Sequence, residues 1–579
     1  MNALDPIRVW SRIQGAVDEV DAVFRTRAFD ASLNGGDTAA VLVGPDGVPW
    51  AQGTKSTPFL TALLGTWLEG LIDQSKAHDG EVIVSNDPFD GGCSLSDLRV
   101  ATPIRIEPFG VAWLASAGHY PDIGGRVPGG VCPEAWDVVQ EGVRIPAICI
   151  AKQFTPDTST IDVIGANTRN PLAFKGNLLA QIAALAAGAG RLGALIERFG
   201  PDRLAEAAGK AREGSHAALQ AALASFSPGT YVCRDRLDDP ECGRPIQLVT
   251  TARVEGRRIQ LSFEGSELQP GSSACPFSAV QAGCLAGLRQ LLPDVPASVD
   301  LNAVISLARP DGYLDAVFPH AVSGGNEVAG RVVSGVIEAL SQAVHGRGCA
   351  ADAGGGNLAV LEGLHGGKPF FLRLAVGSGG GASGRGDGLI NIGAPPRRGA
   401  FPSIEAIERN YPVRVLRYER RGGSGGAGRY RGGDGTLVEI RVETEARLTL
   451  FIDRGERGAG GHHRGTRGAT AAVRVHTNGH WLSPPPKVEA LNLQPGDCVR
   501  LETAGGGGYG HPYERAIRLL SEDMSANVLT RRAVALQHGV LFRSDDPLDY
   551  DSAATFKLRS YRLTSADVEA LVDEIEDME

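Results

Sequence analysis

Several absences narrow the chemistry open to this chain. No uninterrupted apolar run reaches the ~18–20 residues of a membrane span, so no spanning helix is expected. The opening MNALDPIRVW has no basic cluster followed by an apolar core, so no export signal and a cytoplasmic location are expected. Excess positive charge is missing as well: 57 Lys and Arg face 67 Asp and Glu, a net charge of −10 that offers nothing to nucleic acid or an anionic membrane. The nine cysteines form no C-x-x-C pair. Cys233 and Cys242, like Cys275 and Cys284, have a spacing of no common zinc motif, and buried reduced thiols are expected. No G-x-x-x-x-G-K-[ST] phosphate loop occurs, so a nucleotide used in the reaction is expected to bind elsewhere. No G-x-S-x-G elbow occurs either, and GSSAC near Cys275 has no histidine nearby in sequence to activate a nucleophile.

Glycine is in excess. The chain has 77 of them in 579 residues, nearly twice the usual ~7% share. They cluster without a G-X-Y period, at Gly354, Gly377, Arg421 and Ala504 onward, with strand-like stretches between clusters. Ordered glycine loops of this kind serve where backbone approaches backbone or ligand closely, or where φ is positive.

Hydrophobic spacing gives the elements. Ile7, Trp10, Ile13, Val17, Val20 and Phe24 predict an amphipathic helix of about six turns. Apolar runs around Pro45-Asp46-Gly47 predict a hairpin, and a helix is expected from about 57 to 75. The strands EVIVS, LRVATPIRI and GVAWLASAGH come next. Residues 167–224 read as helical, with a break or kink at Gly188–Gly193. A hairpin turns at Glu255-Gly256, and helices are expected near 280–292 and 327–344. Hairpins interleaved with helices favour an α+β class over a doubly wound sheet. The expected division is an N-terminal α+β domain (1–230), a middle α+β domain (231–410), a β-rich glycine-loop domain (411–510) and a helical C-terminal segment (511–579) whose acidic end is an exposed helix.

The candidate chemistry lies where strands meet loops in SNDPFDGGCSLSDLRVATPI and GHYPDIGGRVPGG. Asp97 comes from the first, His119 and Asp122 from the second. Carboxylate and imidazole from adjacent strand ends suit either a divalent metal or a proton-transfer pair; the plain alternative is a turn-capping Asp and a hydrogen-bonded surface His. Asp122, three residues after His119, either orients the imidazole or closes the turn before Gly124. Asp87 and Asp90 are expected to cap Asx-turns. His462-His463 is expected on a surface loop among Arg and Gly.

These blocks resemble those of the N-methylhydantoinase B / 5-oxoprolinase B family, whose members include the acetone carboxylase α subunit and the corresponding subunits of acetophenone carboxylase and caprolactamase. EGVRIPAICI, NTRNPLAFKGNLLAQIAA, PVRVLRYERRGGSGGAGRYRGGDG and AGGGGYGHPYERA add to the likeness, and six blocks occur in one order. The resemblance implies a B-type subunit that works with an actin-like A-type subunit carrying ATP and Mg. It implies opening of a lactam, imide or hydantoin ring, with ketone carboxylation or a catalytically degenerate structural subunit as the alternatives. It implies that the glycine loops are contact surfaces in a large assembly. It also implies a divalent metal, Mn or Zn, whose ligands fall on Ser94, Asp97 and His119. Ser94 departs from that pattern: a hydroxyl stands for an imidazole and is a poor ligand for a borderline metal. Cys93 is adjacent, but neighbours on a strand point to opposite faces, so it is not expected to take the place of that ligand. Asp97 and His119 are then left as two ligands or as a metal-free acid/base pair. Asn177 also departs, standing where the family usually has Asp.

Overall fold

The computed structural model describes residues 5–560, apart from 73–77, 239–244, 268–272, 297–298, 311, 345, 347, 355, 394–400, 545 and 547–548. The expected acidic C-terminal helix and Cys242 fall outside the described residues.

The first helix, α1 (Pro6–Arg27), starts where the sequence sets it: the Asp5 carboxylate accepts the Ile7 amide, and Pro6 lacks the N–H that would go unpaired. Ile13, Val17, Val20 and Phe24 are fully buried, each contributing about 1.5–3 kcal/mol, whereas Ile7 lies exposed on the first turn. After α2 (Ala31–Asn34) come β1 (Thr38–Val43), β2 (Pro49–Gln52), α3 (Pro58–Ile72), β3 (Val82–Ser85), β4 (Asp97–Ile106), β5 (Gly110–His119), β6 (Ile148–Lys152) and β7 (Thr155–Pro156). The strands form one antiparallel sheet in the order β2-β1-β5-β4-β3-β6-β7. β4 and β5 are buried along nearly their whole length, as strands covered on both faces are.

Three helices follow: α4 (Thr158–Gly165), α5 (Pro171–Phe199) and α6 (Pro201–Leu223). The helix α5 is continuous through Gly188–Gly193, so the chain does not break there. Gly188 sits where a Cβ would meet Val20 Cγ2 at 2.4 Å, so this glycine lets α5 lie close on α1. The membrane expectation is also modified. α5 is long and apolar enough to cross a bilayer by length and composition, at a mean hydropathy of 1.5. In the fold it is a core helix: it packs on α1, α4, α6, β4 and β5.

A second sheet, β11-β10-β9-β8, is built from β8 (Gly229–Leu237), β9 (Ile246–Glu255), β10 (Arg258–Ser262) and β11 (Ile305–Leu307). It carries α8 (Gly325–Ser341), on which α7 (Phe277–Leu291) packs, and its core is continuous with that of the first sheet. A third, β13-β12-β16-β19, joins β12 (Asn357–His365) and β13 (Lys368–Val376) to β16 (Ala446–Phe451) and β19 (Lys487–Leu493), and so spans residue 410. Between these pairs lie α9 (Ile404–Asn410), β14 (Val413–Arg421) and β15 (Gly435–Val442). With β17 (Ala472–Thr477), β18 (His480–Leu482) and β20 (Cys498–Glu502) they give the fourth sheet, β14-β15-β20-β17-β18. Short helices α10 (Ile517–Ser525), α11 (Arg531–His538) and α12 (Ser552–Ser560) close the described chain.

The glycine clusters stack on one another inside this chain. Gly426 N–H donates to Gly506 O (2.8 Å), Gly506 N–H to Gly433 O (2.9 Å) and Gly433 N–H to Gly380 O (2.8 Å). A Cβ on Gly506 would stand 2.0 Å from Gly380 O, and one on Gly433 1.9 Å from Leu389 O. Backbone packed on backbone leaves no room for a side chain, so the glycines at these contacts serve close packing between loops of the same chain. Among the described cysteines, five are buried as expected, Cys349 and Cys498 are half-buried, and Cys149 is exposed.

Candidate functional site

The antiparallel register pairs Asp97, the first residue of β4, with His119, the last of β5. Residues directly opposite each other share a face of the sheet, so the two side chains meet. His119 Nδ1 lies 2.9 Å from Asp97 Oδ1. Gly118 packs on Phe24 and Leu33 of the helical layer; strand alternation therefore sends His119 to the opposite face. Gln181 of α5 braces both strand ends: its Nε2 donates to Ser116 O at 3.1 Å and Leu98 O at 3.4 Å, and its Oε1 accepts the Tyr120 hydroxyl at 3.0 Å.

The NDPFDGG loop before β4 is fixed from below. Buried Arg99 donates from Nη1 to Asp90 O (2.8 Å) and from Nη2 to Asp87 O (2.7 Å). Burial lowers its pKa to about 10, opposed by the charges of Asp90, Asp97 and Asp87. Asp87 accepts the Phe89 amide in an Asx-turn, as expected, and also pairs with Arg144 at 3.2 Å.

Ser94 and Cys93 lie in the turn before β4, not on a strand. Asp97 Oδ2 accepts from the Ser94 amide at 3.3 Å and hydroxyl at 3.1 Å. Asn326, at the start of α8, holds both residues of the turn: its Nδ2 donates to Ser94 Oγ (3.4 Å), and its Oδ1 accepts from Cys93 Sγ (3.3 Å).

On the far side of His119 stands Arg373 of β13. Its Nη2 is 3.3 Å from His119 Nε2, and its Nε donates to Gly129 O at 3.4 Å. A guanidinium has no acceptor atom, so Nε2 is the acceptor, and the imidazole proton is on Nδ1, facing Asp97. His119 is 4% exposed and Asp97 fully buried. His119, Arg373, Asn326, Asp30 and Arg169 line a cavity of about 1620 Å³ whose other walls include β12, β13, α9 and residues 443–447 and 492–495.

Asp122 does not orient the imidazole through any of its hydrogen bonds here. Its Oδ2 accepts the Arg169 amide at 2.5 Å, and its Oδ1 accepts from Arg169 Nη1 and the Gly124 amide, both at 3.3 Å. It closes its own turn and ties that turn to Arg169, whereas the ring is held by Asp97 at Nδ1 and meets Arg373 at Nε2. His462 is half-buried, whereas His463 beside it is exposed as expected. The His462 ring packs at a tilt against His463 and Tyr509, and burial, with the neighbouring His463, lowers its pKa to about 4.

The donor set does not suit the metal that the resemblance implies. Among the described residues no three His, Cys, Asp or Glu side chains gather at one point. Both His119 nitrogens are engaged, and the third ligand position is a hydroxyl bonded to Asp97. Sequence reading missed Arg373, Asn326 and Asp30. Arg373 lies in the plain alternation KPFFLRLAV and Asn326 precedes an ordinary helix pattern; neither carries a signal that spacing alone picks out.

The family model described as hydantoinase B/oxoprolinase matches residues 5–512. Caprolactamase subunit beta of Pseudomonas jessenii is 28% identical over 507 residues, covering 83% of this chain and 85% of that one. The crystal structure of ATP-dependent caprolactamase from the same organism has a TM-score of 0.86 at 23% identity, covering 97% of this chain and 100% of that one. The nucleotide-free structure of acetone carboxylase also has a TM-score of 0.86, at 17% identity, with 96% and 82% covered. At these structural identities the likeness is one of fold, and the α+β class read from the sequence is the class these structures share.

Proposed function

The chain belongs to the hydantoinase B/oxoprolinase family, and on that premise we propose that it is the B-type subunit of an ATP-dependent cyclic-amide hydrolase. A partner, the actin-like A-type subunit, supplies ATP and Mg and phosphorylates the ring amide oxygen, which makes the ring carbon electrophilic. In this subunit water adds to that carbon, the C–N bond breaks as the nitrogen takes up a proton, and the acyl phosphate that remains is hydrolysed by a second water to the free acid and phosphate. ATP as co-substrate is in keeping with work in the cytoplasm.

The observation that carries the reading is the line Asp97–His119–Arg373 ending at a wide cavity. Asp97 holds the imidazole with its proton on Nδ1, so Nε2 is the lone pair that takes a proton from water as it attacks, once the incoming oxygen has drawn the Arg373 N–H off that nitrogen. Arg373, beside that lone pair, donates to the oxygen on which negative charge gathers. A water or substrate oxygen that reaches the guanidinium also reaches Nε2. The cavity wall adds Phe370, Phe371 and Tyr411 as apolar cover for a ring. The balance is cyclic amide, two waters and ATP in; ring-opened amino acid, ADP and phosphate out.

The test is co-expression with the cognate A-type subunit and an assay of phosphate release with hydantoin, lactam, imide and 5-oxoproline substrates. Ring opening coupled to ATP, lost in His119→Ala, supports the proposal. Bicarbonate-dependent consumption of a ketone with no ring opening would replace it with a carboxylase.

A further inference from the structure

We propose that this site is built to work without a bound metal ion, and that the Arg373 guanidinium is its fixed positive charge. The inference does not depend on which substrate the protein takes.

It rests on where the polar atoms already point. A divalent ion bound to His119 through Nε2 would have to displace Arg373, which donates to that nitrogen at 3.3 Å. An ion bound through Nδ1 would have to strip a proton and part the ring from Asp97 Oδ1 at 2.9 Å. The other carboxylate oxygen, Oδ2, is engaged by the amide and hydroxyl of Ser94. Ser94 Oγ in turn accepts from Asn326 Nδ2, so the third ligand position is filled by a closed hydrogen-bond chain. A divalent cation at this point would also face a guanidinium at close range, and like charges in a shielded cavity repel strongly.

Arg373 is held for the role. It comes from β13, on a different sheet from Asp97 and His119, and its Nε donates to Gly129 O at 3.4 Å. Gly129 has a φ of +92° and sits where a Cβ would meet Val360 Cγ2 at 2.6 Å, so the loop carrying that carbonyl is pressed onto β12. The GGRVPGG turn thus fixes the direction of a guanidinium from another sheet. A rigid fork of donors beside an imidazole lone pair supplies what a metal ion supplies: a permanent positive charge that draws an acceptor oxygen, carbonyl or carboxylate, next to a base.

The test needs neither ATP nor substrate. Full-length wild type, Arg373→Met, Ser94→His and the double variant are freed of metal with a chelator. Each is then titrated calorimetrically with Zn²⁺ and with Mn²⁺, and metal content is measured after desalting. In parallel, ¹⁵N-histidine spectra of wild type, with His119→Gln to assign the ring, read the tautomer. Wild type should take up neither ion and should show the Nδ1–H form. The double variant, with an imidazole at position 94 and the guanidinium gone, should take up one equivalent. If the double variant does not fold, Arg373→Met should still bind Zn²⁺ more tightly than wild type. One equivalent of Zn²⁺ or Mn²⁺ in wild type, lost on His119→Gln, would overturn the proposal. So would an Nε2–H ring in wild type, or a folded double variant that gains no ion.

Discussion

Asn177 clamps Asp30 into the cavity wall: its Nδ2 donates to the Asp30 carboxylate, while its Oδ1 accepts the Phe29 amide at 2.7 Å. Burial raises the pKa of Asp30, and the Asn177 hydrogen bond and the charge of Arg373 pull it back. A neutral amide at 177 therefore suits its neighbour. Asn177→Asp would set two carboxylates against each other. The pair would then hold a proton in the native state that the unfolded chain releases, so stability falls as pH rises. The variant should be about 1–3 kcal/mol less stable than wild type near pH 8, with the gap narrowing near pH 5. Urea unfolding at the two pH values reads this; equal stability near pH 8 would mean that Asn177 is not there for Asp30.

Asp97→Asn should separate chemistry from folding. The amide cannot match a carboxylate as acceptor for Nδ1–H, so the ring is free to adopt the wrong tautomer. A fall of about 10²–10⁴ in kcat is expected, with KM and melting temperature changed far less. Steady-state kinetics of the assembled complex decide it, and full activity in both Asp97→Asn and His119→Ala would instead favour a structural subunit.

Glu141 should make stability fall with rising pH. Burial raises its pKa to about 8, against the amides of Ser323 and Val322 that each donate to Oε1 at 2.7 Å. A carboxyl whose native pKa lies above its unfolded one stabilises fully below the unfolded value and loses that contribution on the way up to the native value. Wild type should lose a few kcal/mol between about pH 4.5 and pH 8. Glu141→Gln keeps the acceptor for both amides and should flatten that slope in thermal unfolding. A slope unchanged by the substitution would assign the dependence to other groups.

Two glycine substitutions should differ in sign. Gly433→Ala drives a methyl into the Leu389 carbonyl, where only backbone could yield, and should cost more than about 3 kcal/mol or prevent folding. Gly190→Ala lies on the exposed side of α5 with nothing within 4 Å and should stabilise by about 0.5–1 kcal/mol. Expression level and melting temperature measure both, and a well-folded Gly433→Ala protein would contradict the glycine stack.

The local chain determined much of this on its own. Apolar spacing placed α1, β3, β4 and β5 and the hairpins at Asp46 and Gly256, because periodicity follows directly from which face meets water. The strand and turn patterns of two segments located Asp97 and His119 at strand ends. Other features depended on residues far apart in sequence. Gly188 looks like a helix breaker until α1 is seen lying against it, and the glycine clusters look like loops until each is found filling the space that another leaves. Asp122 has the right spacing to serve His119, yet Arg169, 47 positions on, takes it. Arg373 reaches His119 across 254 positions and from another sheet, so no local pattern announces it. Sequence spacing sets which side chains share a face; the packing of separate sheets decides which charge stands opposite.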